Sequence, residues 1–344
     1  MDEEKEIFPG RNEDLPLRSD ARAFSQDELV ACETCLRHNP PTRTGCLYCG
    51  AALPVTVITA TLAKPTLRPL ESWEQGFNSI LLPGEYELSE LTLKTLAELL
   101  RSEIEDVKVA FGCGRALPLA RCASVDEANL VHTRLSELGV KTLTIADIDL
   151  DSHSPVRIRA CDLNEESLIV HPIGREGTQS IPWGDISLMV VGRRIVRRLE
   201  VAERPDKKRG KEVVDSRELS TDAERLDLYT NNSKSAWRIA ADNFDFSCLG
   251  EMKSLMSSMN FQTLTTVLRD RARLAEYDDS YRGVRQSVSL VWPLEQRSES
   301  TGLQKARMGR LNTGTATTSD NDMQFTRYSR MLHYLKSRQT ELKA

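Results

Sequence analysis

From Val30 to Ala52 the chain reads VACETCLRHNPPTRTGCLYCGAA, which holds four of its eight cysteines as two CxxC pairs ten residues apart. Each pair brings two thiolates onto one tight turn, and two such turns facing each other supply a tetrahedral S4 shell. Soft thiolates in a closed site select zinc over hard cations, with iron as the chemical runner-up. Cys32, Cys35, Cys46 and Cys49 are therefore the candidate ligands of one structural zinc. Gly45 and Gly50 flank the second pair and can take the positive φ such turns need, while Pro40-Pro41 stiffens the connection. A module of about twenty residues buries too little core to fold alone, so metal binding would supply its stability, on the order of 10 kcal/mol.

The remaining sequence bounds where this module works. With 344 residues there is room for two or three domains. The longest clear apolar run, Ile186 to Val191, is far short of the roughly 20 residues a membrane span needs. The N-terminus, MDEEKEIF, is acidic where a secretion signal is basic and then apolar. We expect a cytoplasmic protein with reduced thiols, in which clustered cysteines read as metal ligands. The net charge of −5 conceals an uneven distribution. Residues 1–30 carry nine acids and four bases, whereas residues 193–211 carry nine bases and three acids, and residues 297–344 nine bases and four acids. Arg193, Arg194, Arg197, Arg198, Lys207, Lys208 and Arg209 are thus candidate contacts to an anionic or protein partner. A solvated charged hairpin is the competing reading.

Counting Asn39, the cysteine spacing is C-x2-C-x3-N-x6-C-x2-C. It resembles the Ran-binding-nucleoporin type of zinc finger and, more loosely, the short zinc ribbons that head many bacterial proteins. The tryptophan that family places two residues before its first cysteine is Val30 here. The Thr-Phe pair of its ubiquitin-binding members is Leu36-Arg37 here. Tyr48 is the sole aromatic, a thin platform for base stacking. The resemblance therefore implies the four metal ligands and a structural role.

Along the chain, residues 1–28 lack periodicity and read as a disordered acidic N-terminus, 29–52 is the knuckle, and 53–76 is a proline-containing linker. Regular pattern begins at Phe77. FNSILL is a strand; Ser89 opens a helix with Leu93, Leu96, Ala97 and Leu100 on one stripe. Ser102 and Glu105 form a capping box for a second helix carrying Ile104, Val107 and Phe111. ALPLARCA is a strand, Ser124 and Glu127 cap a third helix, and VKTLTI is a last strand. This β-α-α-β-α-β order over 77–150 resembles the C-terminal domain of the bacterial ribosomal stalk protein and the Clp adaptor, with Lys108, Ser124, Glu127-Ala128, Leu135 and Gly139 matching the stalk pattern. The stalk protein's factor-binding Gly-Leu-Gly turn is Leu100-Arg101-Ser102-Glu103 here, so factor binding is not implied. The alternating Asp147, Asp149 and Asp151 look like the start of a calcium loop, but Ser152 and Ile158 occupy the glycine and glutamate positions, which excludes one.

Residues 155–282 contain short alternating segments at hairpin spacing, followed by a helix with Phe261, Leu264, Val267 and Leu268 inward. About seven strands closed by one helix resemble an antiparallel pleckstrin-homology-like (PH-like) barrel, and the IPWGDI turn at Ile181–Ile186 is common in bacterial domains of that kind. Such barrels bind phosphoinositides, peptides or nothing. The charged stretch ERPDKKRGKEVVDSREL reads as a flexible connection. SVSLVWPL reads as a strand within an otherwise disordered segment, 283–323, and 324–341 as a basic amphipathic helix with Phe325, Tyr328, Leu332 and Leu335 on its stripe. That helix could dock on a partner or an anionic surface, or pack back on its own chain.

No GxxxxGK[ST], GxGxxG, HExxH or GxSxG occurs, and the five histidines are scattered. The expectation is an α+β multi-domain, non-enzymatic zinc-binding adaptor that binds a protein partner. Nucleic-acid binding through the knuckle and the basic stretches 193–211 and 297–344 is the alternative, an enzyme without a recognisable motif the second. Contact with a membrane surface is a weaker expectation still.

Overall fold

The structure is a computed structural model, and it describes residues 24–54, 64–71, 73–151, 155–174, 176–206, 210–231, 236–306 and 310–341. Lys207, Lys208 and Arg209 lie outside the described residues, as does most of the acidic N-terminus. The chain forms two compact units, Met1–Lys64 and Pro65–Ala344. Among the described residues no helix is long and apolar enough to cross a membrane.

The first unit is the knuckle, with two two-residue strands, β1 (Val30–Ala31) and β2 (His38–Asn39), paired antiparallel. Its buried apolar cluster consists of Val30, Cys32, Cys46 and Leu53.

The second unit begins with the expected element order: β3 (Phe77–Leu81), α1 (Glu90–Leu100), α2 (Ile104–Gly112), β4 (Leu117–Cys122), α3 (Val125–Glu137) and β5 (Thr142–Ala146). The strands form an antiparallel sheet with β3 in the centre. Ser89 and Ser124 cap α1 and α3 through their hydroxyls, as expected. The box at Ser102 and Glu105 does not form: the N-cap is Glu103, without a side-chain bond. The Asp-rich stretch is a short helix, α4 (Asp147–Asp151), and its acids are used internally. Asp147, wholly buried, accepts from Arg121 Nε at 2.9 Å and from Asn78 Nδ2 at 2.9 Å. Asp151 pairs with Arg327.

A curled mixed sheet follows, built from β6 (Val156–Leu163), β7 (Ser167–Pro172), β8 (Gln179–Pro182), β9 (Ile186–Asp206), β10 (Gly210–Thr230) and β11 (Trp237–Ala240). Helix α5 (Ser257–Arg271) leads to β12 (Glu276–Asp278), which pairs parallel with β9. Of the stretch read as a flexible charged connection, residues 203–206 and 210–219 instead belong to the outer part of the β9–β10 ladder, paired from Leu219↔Arg198 to Gly210↔Asp206.

The segment expected to be disordered carries α6 (Tyr281–Val291) and a hairpin of β13 (Glu295–Ala306) and β14 (Arg310–Asp320), the latter pairing with β9. The run SVSLVWPL thus contributes to a helix, not a strand. Val288, Leu290 and Trp292 alternate in the sequence, but Leu290 is 53% exposed while Tyr281, Val284 and Val288 line the buried stripe. The period is helical. The hairpin escapes notice because its residues are polar. Its stability comes from backbone ladders and from Thr-rich β14, whose β-branched side chains suit a pleated strand. The final helix, α7 (Asp322–Glu341), buries Phe325, Tyr328 and Met331 completely within its own unit.

Both faces of the central sheet are covered. Leu188, Val190 and Tyr229 join α6, α7 and the β3–β5 layer in one core. Met189, Leu226 and Leu228 join Ile158, Ile239 and α5 in the other. Burial on two faces explains why β9 opens on the nearly continuous apolar run ISLMVV, interrupted by Ser187 alone. The layers are also joined by polar contacts, since Trp292 Nε1 donates to Asn78 Oδ1 at 2.8 Å beneath the β3–β5 sheet. Gly192 marks the closest approach of α7: a Cβ there would lie 2.2 Å from the Phe325 ring.

Candidate metal centre

The two CxxC turns are built alike. Leu36 N–H donates to Cys32 O (2.8 Å) and Cys32 N–H to Arg37 O (2.9 Å); in the second turn Gly50 N–H donates to Cys46 O (3.0 Å) and Cys46 N–H to Ala51 O (2.8 Å). In both turns the residue after the second cysteine is left-handed, Leu36 at φ 58° and Gly50 at φ 74°. Glycine suits that conformation; a leucine in it costs about 1–2 kcal/mol.

These turns bring the four sulfurs together. Cys32 and Cys49 Sγ lie 3.6 Å apart, Cys35 and Cys46 Sγ 3.5 Å, and all four lie within 4.8 Å of one another. A four-coordinate ion with metal–sulfur bonds of about 2.3 Å places its sulfurs about 3.8 Å apart, so the cluster has the size of such a shell. Residues of no other described cluster of His, Cys, Asp and Glu could hold a metal ion.

Asn39 organises the interior of the knuckle. Its side chain, wholly buried, donates to Arg37 O (2.9 Å) and to Cys46 Sγ (3.5 Å) and accepts from Leu47 N–H (2.8 Å). Tyr48 N–H also points at Cys46 Sγ (3.4 Å). Burial opposes ionisation of Cys46, but the Tyr48 and Cys49 amides, with Cys35 and Asn39, outweigh it and hold the thiol down to about 6. At Cys49 the Ala51 amide favours the thiolate, yet burial and the three neighbouring sulfurs push it up to about 12. Four thiolates so close repel one another, and a cation among them removes the conflict. The spacing legible in the sequence included Asn39; its part in bonding sulfur did not follow from that spacing.

Among the described residues, the arginines of the basic stretch do not assemble into one free patch. Strand alternation sends neighbouring arginines of β9 to opposite faces. Arg193 pairs with Asp222 (2.7 Å) and Glu224 (3.5 Å), Arg194 Nε with Asp320 (3.0 Å), and Arg198 with Glu200 (2.8 Å). Arg197 is exposed and borders a cavity of about 360 Å³ with Arg285 and Asn321.

A second arginine cluster was missed in the sequence. Arg157, Arg194, Arg225 and Arg238 line a cavity of about 240 Å³ together with Asp151 and Asp322. Arg238, 4% exposed, is held by Asp227 at 2.7 and 2.8 Å, and Arg225, 3% exposed, by Asp242 at 2.8 Å. Guanidinium groups inside the apolar strands RLDLYT and SAWRIAADN were the available signal. Their acidic partners stand in the same two stretches, 11 and 17 residues away, and it is the β10–β11 pairing, with Asp227 opposite Arg238, that brings them together. Two of the scattered histidines have local partners, His132 with Thr142 (2.8 Å) and His171 with Asp162 (2.8 Å).

No protein family matches this chain, and no curated protein or solved structure is similar to it.

Proposed function

We propose that this protein is a non-enzymatic adaptor: a zinc-stapled knuckle and an α+β body that present surfaces to a protein partner. Cys32, Cys35, Cys46 and Cys49 would hold one zinc in a closed shell, where the ion supplies folding energy and leaves no open position for a substrate. The observation that carries the partner-binding reading is on the same module. Leu36, Leu47 and Tyr48 are 77%, 53% and 56% exposed on a unit whose buried apolar cluster is only four residues. Apolar side chains held outward on a rigid, metal-folded turn are a feature of interaction surfaces. On this reading the β3–β5 layer acts as a binding module of the stalk or Clp-adaptor kind, and the sheet capped by α5 as one of the PH-like kind.

Cross-linking of the full chain in its native extract, beside a Leu36→Ser/Tyr48→Ser variant, tests the proposal. We expect a defined protein cross-linked to the native chain and lost from the variant, with zinc content equal in both. Equal cross-linking patterns would contradict it.

Nucleic-acid binding is the second reading. Arg37 stacks over Tyr48 at 4.7 Å, a cation–π pair onto which a base could stack, and Arg197 carries no ion pair among the described residues. It requires binding to RNA or DNA that weakens steeply with salt. The pairing of Arg193, Arg194 and Arg198 within the fold weighs against it.

A further inference from the structure

Two of the cysteines outside the knuckle face each other. Cys161, on β6, and Cys248, in the 3-10 turn Phe246–Met252, are 87 residues apart in sequence, yet their Sγ atoms lie 3.6 Å apart. The backbone fixes this approach on both sides: Asp245 N–H donates to Arg159 O at 2.7 Å, and Ala160 bridges Asp245. The two thiols differ in access. Cys161 is 2% exposed and sits in the α5-side core, whereas Cys248 is half-buried at its edge. The remaining thiols of this unit are placed otherwise. Cys122 is wholly buried, its thiol pushed up to about 12 by burial, and Cys113 donates to Ala110 O.

We infer that Cys161 and Cys248 are a redox-modification site, at which a hydroperoxide converts the two thiols into a reversible disulfide. The step divides between an accessible thiol and a buried one. Cys248 sulfur, as thiolate, attacks the peroxide O–O bond and becomes a sulfenic acid, releasing hydroxide. Cys161 sulfur then attacks the sulfenic sulfur, the S–S bond forms, and the expelled hydroxide takes the Cys161 proton. In sum two thiols and one hydrogen peroxide give a disulfide and two waters. The roles agree with the hydrogen bond between the thiols. Cys161 donates to Cys248, which lowers the Cys248 thiol and, together with burial, raises that of Cys161. The product would tie β6 to the turn that packs on α5, closing an 87-residue loop and stabilising this half of the sheet. Nothing in this inference depends on what the knuckle binds.

The full-length, zinc-loaded chain is treated with one equivalent of hydrogen peroxide, alkylated and mapped as peptides without reduction. The expected product is one Cys161–Cys248 cross-link, lighter by two hydrogen atoms and reversed by a dithiol. Cys161→Ala should trap Cys248 as a sulfenic acid captured by dimedone, and Cys248→Ala should leave Cys161 unmodified. The inference is overturned if the native chain forms no such cross-link while Cys248 oxidises further. It is equally overturned if the cross-link forms as fast in urea, which would mean that the fold does not set the approach. The native-chain experiments decide the matter even where a variant fails to fold.

Discussion

The knuckle and the body solve the same problem by different means. Among the described residues of the first unit, the buried apolar cluster around the four sulfurs is Val30, Cys32, Cys46 and Leu53. The body buries two apolar clusters on the two faces of one sheet, with Trp292, Phe325 and Tyr328 fully enclosed. On the proposed reading, order in the knuckle comes from a metal held by four sulfurs and is lost on chelation. In the body it comes from apolar area and from polar networks that join the layers. A short motif can therefore specify the first unit, whereas the second is specified by residues far apart in sequence.

The contrast is broken most directly by taking the metal away. Chelation should cost the knuckle on the order of 10 kcal/mol of metal-derived stability. Amide hydrogen exchange of residues 30–53 should rise to that of an unfolded chain while β3–β5 and β6–β11 keep their protection. Equal loss in both units would dissolve the distinction.

In the body the largest single effect should come from the buried Asp147. Asp147→Ala strands Arg121, the Asn78 amide and the Gly76 N–H, all of which it accepts from. Breaking such a pair costs about 3–5 kcal/mol, read as a lower denaturant midpoint with zinc content unchanged.

His333 sharpens the comparison through pH. It stacks on Tyr229 with ring centres 4.3 Å apart, and burial, with Arg330 and Lys336 nearby, lowers it from 6.5 to about 4. The unfolded chain then binds a proton that the folded chain does not, so stability is full above pH 6.5 and falls as pH drops toward 4. We expect a loss of about 2 kcal/mol across that window after allowing for partial exposure. His333→Phe should flatten this part of the profile in urea titrations between pH 4 and 7.

Smaller effects belong to the knuckle's frame. Asn39→Ala removes a bond to Cys46 sulfur, and loss of such a partner costs about 10–100-fold in metal affinity, measurable by competition with a chromophoric chelator. The two left-handed positions should respond with opposite sign. Gly50→Ala is expected to lose about 1 kcal/mol, and Leu36→Gly to gain a smaller amount.

What the sequence revealed follows the same division. The CxxC turns and the capped helices of residues 77–150 are local, and their residues could be read where they stand. The exceptions were informative. Ser102 and Glu105 have the capping-box spacing, yet Arg101 at φ 53° ends α1 and the N-cap of α2 falls one residue later than Ser102, at Glu103. The β13–β14 hairpin was read as disorder because Ser, Thr and Gly signal weak burial; its ladder to β9 is a backbone property. The arginines of β9 were read as free charge because Asp320, 126 residues away, could not be assigned to Arg194.

On the proposal made above, the first unit folds around a metal and the second does not. Elemental analysis of the purified full chain, set beside Cys32→Ser, tests it most directly. We expect one zinc per native chain and none in the variant, with the unfolding transition of the body the same in both. A metal-free native chain whose residues 30–53 remain protected from hydrogen exchange would contradict it.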